Sequence, residues 1–173
     1  VSGVEWYTPP EIVDAARAVL GRIDLDPASC AVANKVVRAR RFYTKENSGL
    51  TPNKRWSGRV FMNPPYSRKL VNQFTDRLVE EYRTGRVTEA VVLLNNITET
   101  RCFQNLAAAA SAMCLIEKRL SFWGPEAGTS GPERGQALLY LGNNPKRFLA
   151  AFASHGCCQK PVHNSSSGTG SVF

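Results

Sequence analysis

Short apolar runs that stop at turn residues alternate along the chain with stretches whose apolar residues recur at helical spacing, and this alternation restricts the fold more than any other feature. Ile12, Val13, Ala16, Val19 and Leu20 share one helical face. They follow Thr8-Pro9-Pro10-Glu11, a helix start with threonine as cap and proline in the first turn, and they end at Gly21. Arg22 to Asp26 alternates and halts at Pro27, as a short strand does. A helix is expected from Ala28 to Ala33, and mostly loop from Phe42 to Gly58. Arg59 to Met62 is a β-type run cut off by Asn63-Pro64-Pro65-Tyr66, and Leu70 to Tyr82 is an amphipathic helix. Ala90 to Leu94 is continuously apolar, the mark of a strand covered on both faces. Thr100 to Ala112 then suits a helix, Met113 to Ile116 and Gln136 to Leu141 suit strands, and Pro145 to Ser154 suits a last helix. The order implies an α/β domain over residues 1–156, with helices on both faces of a mostly parallel sheet, and a flexible Ser/Gly-rich tail over residues 157–173.

With 173 residues, 43% of them hydrophobic, the chain can bury one domain-sized core. Its longest nearly apolar run, Leu106 to Ile116, has eleven residues interrupted by Ser111, too few to cross a bilayer. The chain starts at Val1 and shows no basic-then-apolar leader, so it reads as a trimmed piece of a cytoplasmic protein. Cys30, Cys102, Cys114, Cys157 and Cys158 show no CxxC spacing and fit a reducing compartment. Cys157 and Cys158 lie near His155 and His163, yet adjacent cysteines do not readily ligate one tetrahedral ion, and no metal site is expected.

Lys and Arg number 22 against 14 Asp and Glu, a formal charge of +8 that suits a polyanionic partner as well as a merely soluble basic surface. Arg38, Arg40 and Arg41 form one cluster, Arg68 and Lys69 another, and Arg134 tips the glycine-rich loop from Gly124 to Gly135. The most informative residues are Asn63, Pro64, Pro65 and Tyr66. Open parallel sheets bind ligands at the carboxyl ends of their strands, and this turn directly follows one. Its prolines make the turn rigid, so it can aim an amide, an exposed carbonyl and an aromatic ring at one small planar target. An ordinary proline turn with a half-buried tyrosine is the plain alternative.

An NPPY turn after a strand resembles the catalytic motif of amino-group methyltransferases. Three further segments resemble the phage-type, Dam-like DNA adenine-N6 methyltransferases: EWYTPPE at residues 5–11, DLDPAS at residues 24–29 with Asn34 downstream, and WSGRVFM at residues 56–62 leading into NPPY. RLSF at residues 119–122, followed by a loop and Gln136 to Leu141, looks like the late motif of that family. The resemblance spans roughly residues 5–153 and lies in the order of the pieces. It implies a compact Rossmann-like fold, S-adenosylmethionine as cofactor, and DNA as partner, its adenine flipped out or single-stranded. It also implies that Asn63 Oδ1 and the Pro64 carbonyl accept the two N–H groups of the adenine amine while Tyr66 stacks on the purine. Asp26, Pro27, Ala28 and Ser29 would hold the cofactor. The acid is in place, but Ala28-Ser29-Cys30 stands where a glycine-rich turn is usual. Thr8 and Pro9 match a segment that closes over the cofactor, and Thr8 suits a plain helix cap equally well. Glu46, the lone acid between Asp26 and Asn63, is a weak candidate for the ribose hydroxyls. Arg38, Arg40, Arg41, Arg68, Lys69 and Arg134 are the expected backbone contacts. The alternatives are methylation of RNA or of a protein glutamine, which NPPY also suits, a basic nucleic-acid-binding module without catalysis, and a structural subunit. The intact NPPY turn speaks against the last two.

Overall fold

The computed structural model describes residues 7–124, 128–130 and 134–161. In chain order they form α1 (Pro10–Leu20), β1 (Leu25–Asp26), α2 (Ala31–Val37), β2 (Arg41–Phe42), β3 (Gly58–Met62), α3 (Arg68–Arg83) and β4 (Val87–Asn95). There follow α4 (Arg101–Ala109), β5 (Ala112–Ile116), β6 (Phe122–Gly124), β7 (Gly128–Ser130), β8 (Gln136–Leu141), α5 (Pro145–Phe152) and β9 (Gly156–Gln159). Seven strands make one sheet in the order β2-β1-β3-β4-β8-β5-β9. The β1–β2, β1–β3 and β3–β4 pairs are parallel. β8 runs antiparallel between β4 and β5, and β9 antiparallel to β5.

Successive side chains of a strand leave on opposite faces. Val60, Met62, Val92, Leu94 and Leu139 therefore pack with Phe74, Leu78, Phe103 and Leu106 of α3 and α4. Phe61, Val91, Leu93, Leu138 and Tyr140 pack on the other side with Ile12, Val13 and Ala16 of α1 and Phe148 and Phe152 of α5. Helices of 7 to 9 residues such as α2, α4 and α5 are too short to persist alone in water. Burial holds them, at about 1.5–3 kcal/mol for each fully buried large apolar side chain. The α/β architecture with helices on both faces of a mostly parallel sheet is the one the sequence implies.

Three local expectations fail for identifiable reasons. The helix after β1 starts at Ala31 rather than Ala28. The Ala28 N–H is taken by Asp26 Oδ1 at 3.1 Å and the Ser29 N–H by the Tyr43 carbonyl at 2.8 Å, so residues 27–29 turn instead. Thr8 does not cap α1; the cap position is Pro9, with no side-chain bond to the first turn. Residues 157–159 are not a tail: Gly156–Gln159 pairs with Met113–Ile116 and covers what would otherwise be an open edge of β5. Of the expected tail, residues 162–173 lie outside the described residues.

The long connection before β3 is anchored from within. Trp56 is fully buried, donates from Nε1 to the Gly49 carbonyl at 2.9 Å, and packs beside Phe74. Arg77 of α3 lies over the Trp56 ring, 5.2 Å from its centroid, and donates to the carbonyls of Gly49, Thr51 and Lys54. Gly49 in turn lies against the turn after β1, where a Cβ would come within 2.4 Å of the Pro27 carbonyl oxygen. Arg77→Ala removes three charge-assisted bonds at once and should cost about 2–4 kcal/mol, lowering the melting temperature by about 5–15 °C. A thermal melt within a degree of the parent would show that the loop is held by other contacts.

Candidate active site

From β1 the chain passes to β2 on one side, then returns across β1 to β3 on the other. A crevice opens at such a reversal, outside the carboxyl ends of the strands. Asp26 is the last residue of β1, and Asn63 directly follows β3. Asn95 ends the parallel neighbour β4 and is paired with Gln136, the first residue of antiparallel β8. Four polar side chains thus arrive at one edge of the sheet, each at the end of an apolar run.

Asn63 Nδ2 donates to Thr8 Oγ1 at 3.1 Å, which turns Oδ1 towards Tyr66. The Tyr66 hydroxyl donates to Asn63 Oδ1 at 2.8 Å and lies 3.1 Å from Gln136 Oε1. Gln136 Nε2 donates to Asn95 Oδ1 at 2.6 Å and reaches the Arg134 carbonyl at 3.4 Å. Burial of the phenol oxygen pushes its pKa well above the ordinary tyrosine range, so it stays a donor. Tyr66 as a whole residue is 41% exposed. Pro64 is buried and Pro65 exposed; among the described residues the Pro64 carbonyl accepts no hydrogen bond.

Thr8 is held by a distant clamp. The Tyr7 N–H donates to the Trp123 carbonyl at 2.7 Å, the Trp123 N–H donates back at 3.2 Å, and the indole Nε1 donates to the Thr8 carbonyl at 3.2 Å. The two rings meet edge to face with centroids 5.0 Å apart. Trp123 belongs to β6, which forms a small separate ribbon with β7. The remainder of the expected recognition loop, residues 125–127 and 131–133, lies outside the described residues.

Asp26 is 3% exposed, and burial pushes its carboxyl up to about 7 against the smaller opposing pull of the Ala28 amide. No cationic side chain among the described residues pairs with it. Ser29 Oγ is buried with no hydrogen bond of normal geometry. An uncompensated carboxylate beside an orphaned hydroxyl fits a ligand that brings positive charge and hydrogen-bonding groups. Glu46 is exposed and bonded by Thr44 Oγ1 at 2.9 Å. Among the described residues no three His, Cys, Asp or Glu side chains gather to hold a metal ion.

The six expected cationic contacts divide between two edges. Arg68 and Lys69 open α3 just after the NPPY turn, and Arg134 precedes Gln136; all three are exposed at the Asn63 edge. Arg38, Arg40 and Arg41 lie at the amino ends of the strands. There Arg41 donates to Ser57 Oγ at 2.9 Å, Arg40 stands 3.9 Å from Asp24, and the Arg40 N–H bonds Ile23. Gln136, Asn95 and Trp123 were not among the residues expected from the sequence. The signal available for the first two was a polar residue at the tip of an apolar strand; Trp123 carried none.

A sequence model of the DNA N-6-adenine-methyltransferase (Dam) family matches residues 2–147, and the chain belongs to that family. A DNA N-6-adenine-methyltransferase of Escherichia phage T1 is 33% identical over 107 residues, 59% of this chain. The chain spans 42% of that relative's length. A dimethyladenosine transferase from Plasmodium falciparum superposes over 86% of this chain and 67% of its own, with a TM-score of 0.48 and 12% identity.

The Asp26 shift sets a pH dependence of known sign. Between the unfolded value near 3.8 and the folded value of about 7 the native protein holds the proton more tightly, so stability falls as pH rises through this window. Asp26→Asn keeps an oxygen for the Ala28 amide and removes the buried charge. The variant should melt higher than the parent at pH 8, the gain should shrink as pH falls to 5, and it should vanish only below the unfolded value near 3.8. A difference that does not vary with pH would mean that Asp26 is already ionised at pH 5.

Proposed function

We propose that the protein transfers a methyl group from S-adenosylmethionine to the exocyclic N6 amine of adenine in DNA. The observation that supports this reading best is the Asn63 amide, tied through Nδ2 to Thr8 so that its oxygen is held towards the Tyr66 side of the NPPY turn. Family membership supports the same conclusion. Asp26, Pro27, Ala28 and Ser29, with Thr8 and Pro9 across from them, would hold S-adenosylmethionine, which when bound supplies a methyl group activated by a cationic sulfur.

An adenine amine is a poor nucleophile because its lone pair is delocalised into the ring. Asn63 Oδ1 and the Pro64 carbonyl each accept one N–H, which favours a pyramidal nitrogen with its lone pair directed away from the two acceptors. Both acceptors strengthen as positive charge grows on nitrogen, so they act mainly on the transition state. Loss of a proton follows that charge, and carbonyl acceptors suffice until then. The Tyr66 ring stacks on the purine, worth about 1–3 kcal/mol per base. Within a duplex the amine is out of reach, so the base is flipped out or already single-stranded. Arg68, Lys69 and Arg134 hold the backbone beside it, whereas Arg38, Arg40 and Arg41 would meet a separate segment of DNA. The phage relative supports action in the cytoplasm of a bacterial or phage-infected cell.

Tritium transfer from labelled cofactor to DNA, RNA and protein in parallel tests the substrate class. DNA should accept label. Asn63→Ala should lose at least about a hundredfold in turnover while cofactor affinity changes less than about twofold. Tyr66→Phe should be mild and Tyr66→Ala severe. Near-normal turnover by Asn63→Ala would sink the mechanism. The cationic contacts are tested separately. Replacing Arg68 and Lys69 by Ala should lower the slope of log affinity against log salt by about 1.8 on a short duplex. On that duplex the Arg40→Ala, Arg41→Ala pair should leave the slope unchanged, and the reverse pattern would put the reacting strand at the other edge.

A further inference from the structure

The Tyr66 hydroxyl has one proton and faces two acceptors. Asn63 Oδ1 is at 2.8 Å and Gln136 Oε1 at 3.1 Å. Neither amide is free to rotate its NH2 group into the place of its oxygen. Asn63 Nδ2 is spent on Thr8 Oγ1, and Gln136 Nε2 on Asn95 Oδ1 and the Arg134 carbonyl. Gln136 is 1% exposed, so no bulk water competes for its oxygen. In this resting arrangement the shorter bond goes to Asn63 Oδ1, the oxygen that the proposed chemistry assigns to the amine. The acceptor therefore does not stand open; the tyrosine covers it.

We propose that Gln136 is the alternative acceptor for the Tyr66 hydroxyl, receiving it when the amine of the target base claims Asn63 Oδ1. Gln136 is then a positioning residue that selects for a base carrying an amine. The inference rests on the methyl-transfer reading above. The exchange requires a shift of only the hydroxyl proton and a small tilt of the ring, because both oxygens already lie within hydrogen-bond distance. It leaves no buried polar group unpaired in either state. A base without the amine would leave the Asn63 oxygen to the tyrosine and gain nothing from the exchange. Without Gln136 the hydroxyl would keep its bond to Asn63 Oδ1, and the amine would have to share that oxygen with it.

The test is a double-mutant cycle on a ratio that a structural defect does not move. Affinity is measured for a short single-stranded oligonucleotide carrying adenine and for the same oligonucleotide carrying purine, which lacks the amine. S-adenosylhomocysteine is present so that no turnover occurs. In the parent the adenine-to-purine ratio should favour adenine. Gln136→Leu should cut that preference about tenfold, equivalent to about 1.4 kcal/mol. The same substitution introduced into Tyr66→Phe should change it less than twofold, because no hydroxyl remains to be relocated. Damage through the lost Asn95 contact would weaken both oligonucleotides alike and appear in both backgrounds. Gln136→Met, unbranched and of similar length, serves in the same cycle if the leucine protein does not fold. Equal effects in the two backgrounds, or none in either, would overturn the proposal while leaving the methyl-transfer reading intact. A parent that binds adenine and purine equally would likewise overturn the exchange, whereas failure of the methyl-transfer reading would show as no label transferred to DNA.

Discussion

The central strand β4 must find a partner for its backbone groups on both sides, and the site exists because of how that need is met. Buried N–H and C=O groups without partners are costly, and β4 is buried along most of its length. It takes β3 in parallel on one side and β8 antiparallel on the other. The parallel choice brings the end of β3, and Asn63 after it, to the edge where β4 ends. The antiparallel choice brings the beginning of β8, and Gln136, to the same edge. Had β8 run parallel, Leu141 would stand where Gln136 stands, and the tyrosine would have no second oxygen.

The polar groups at this edge are bought against the stability of the fold, and in two different ways. The chain from Thr8 through Asn63, Tyr66 and Gln136 to Asn95 is closed, each donor finding an acceptor, so its burial costs little. Asp26 and Ser29 are different. Ser29 Oγ is buried without a partner, and burial with no cation beside it pushes the Asp26 carboxyl up to about 7. A protein that carried Asp26 only for architecture would gain by losing it. In the proposed function the closed chain lies where the amine would react, and Asp26 and Ser29 lie where the cofactor would bind.

The elements that one face of a strand or helix specifies were legible: the AVVLL run, the amphipathic α3 and the apolar stripe of α1 all lie where periodicity puts them. What could not be read depends on partners distant in sequence. Thr8 reads equally as a cap or as a site residue until Asn63, 55 residues away, is seen to take its hydroxyl. Gln136 is an unremarked strand end until Tyr66 and Asn95 close on it from 70 and 41 residues away. Arg38, Arg40 and Arg41 look like neighbours of Arg68 and Lys69 in charge alone, and only the direction of the strands separates them. Residues 156–159 lack a strand's alternation and become one because β5 offers an unfilled edge. NPPY was legible as a rigid turn at a strand end, but the two acceptors of its tyrosine hydroxyl belong to different elements and were not.

The clamp between Tyr7 and Trp123 also has a temporal meaning. Residue 7 leaves the ribosome early and waits until residue 123 has followed before Thr8 can be pinned over Asn63. Gln136 comes later still, inserting beside β4 after β5 has already been made. A nascent chain with its NPPY turn complete therefore possesses the motif without its geometry, and acquires the geometry only as β8 docks. The hydrogen-bonded chain from Thr8 to Asn95 is therefore completed only when β8, a strand in the interior of the sheet, has taken its place.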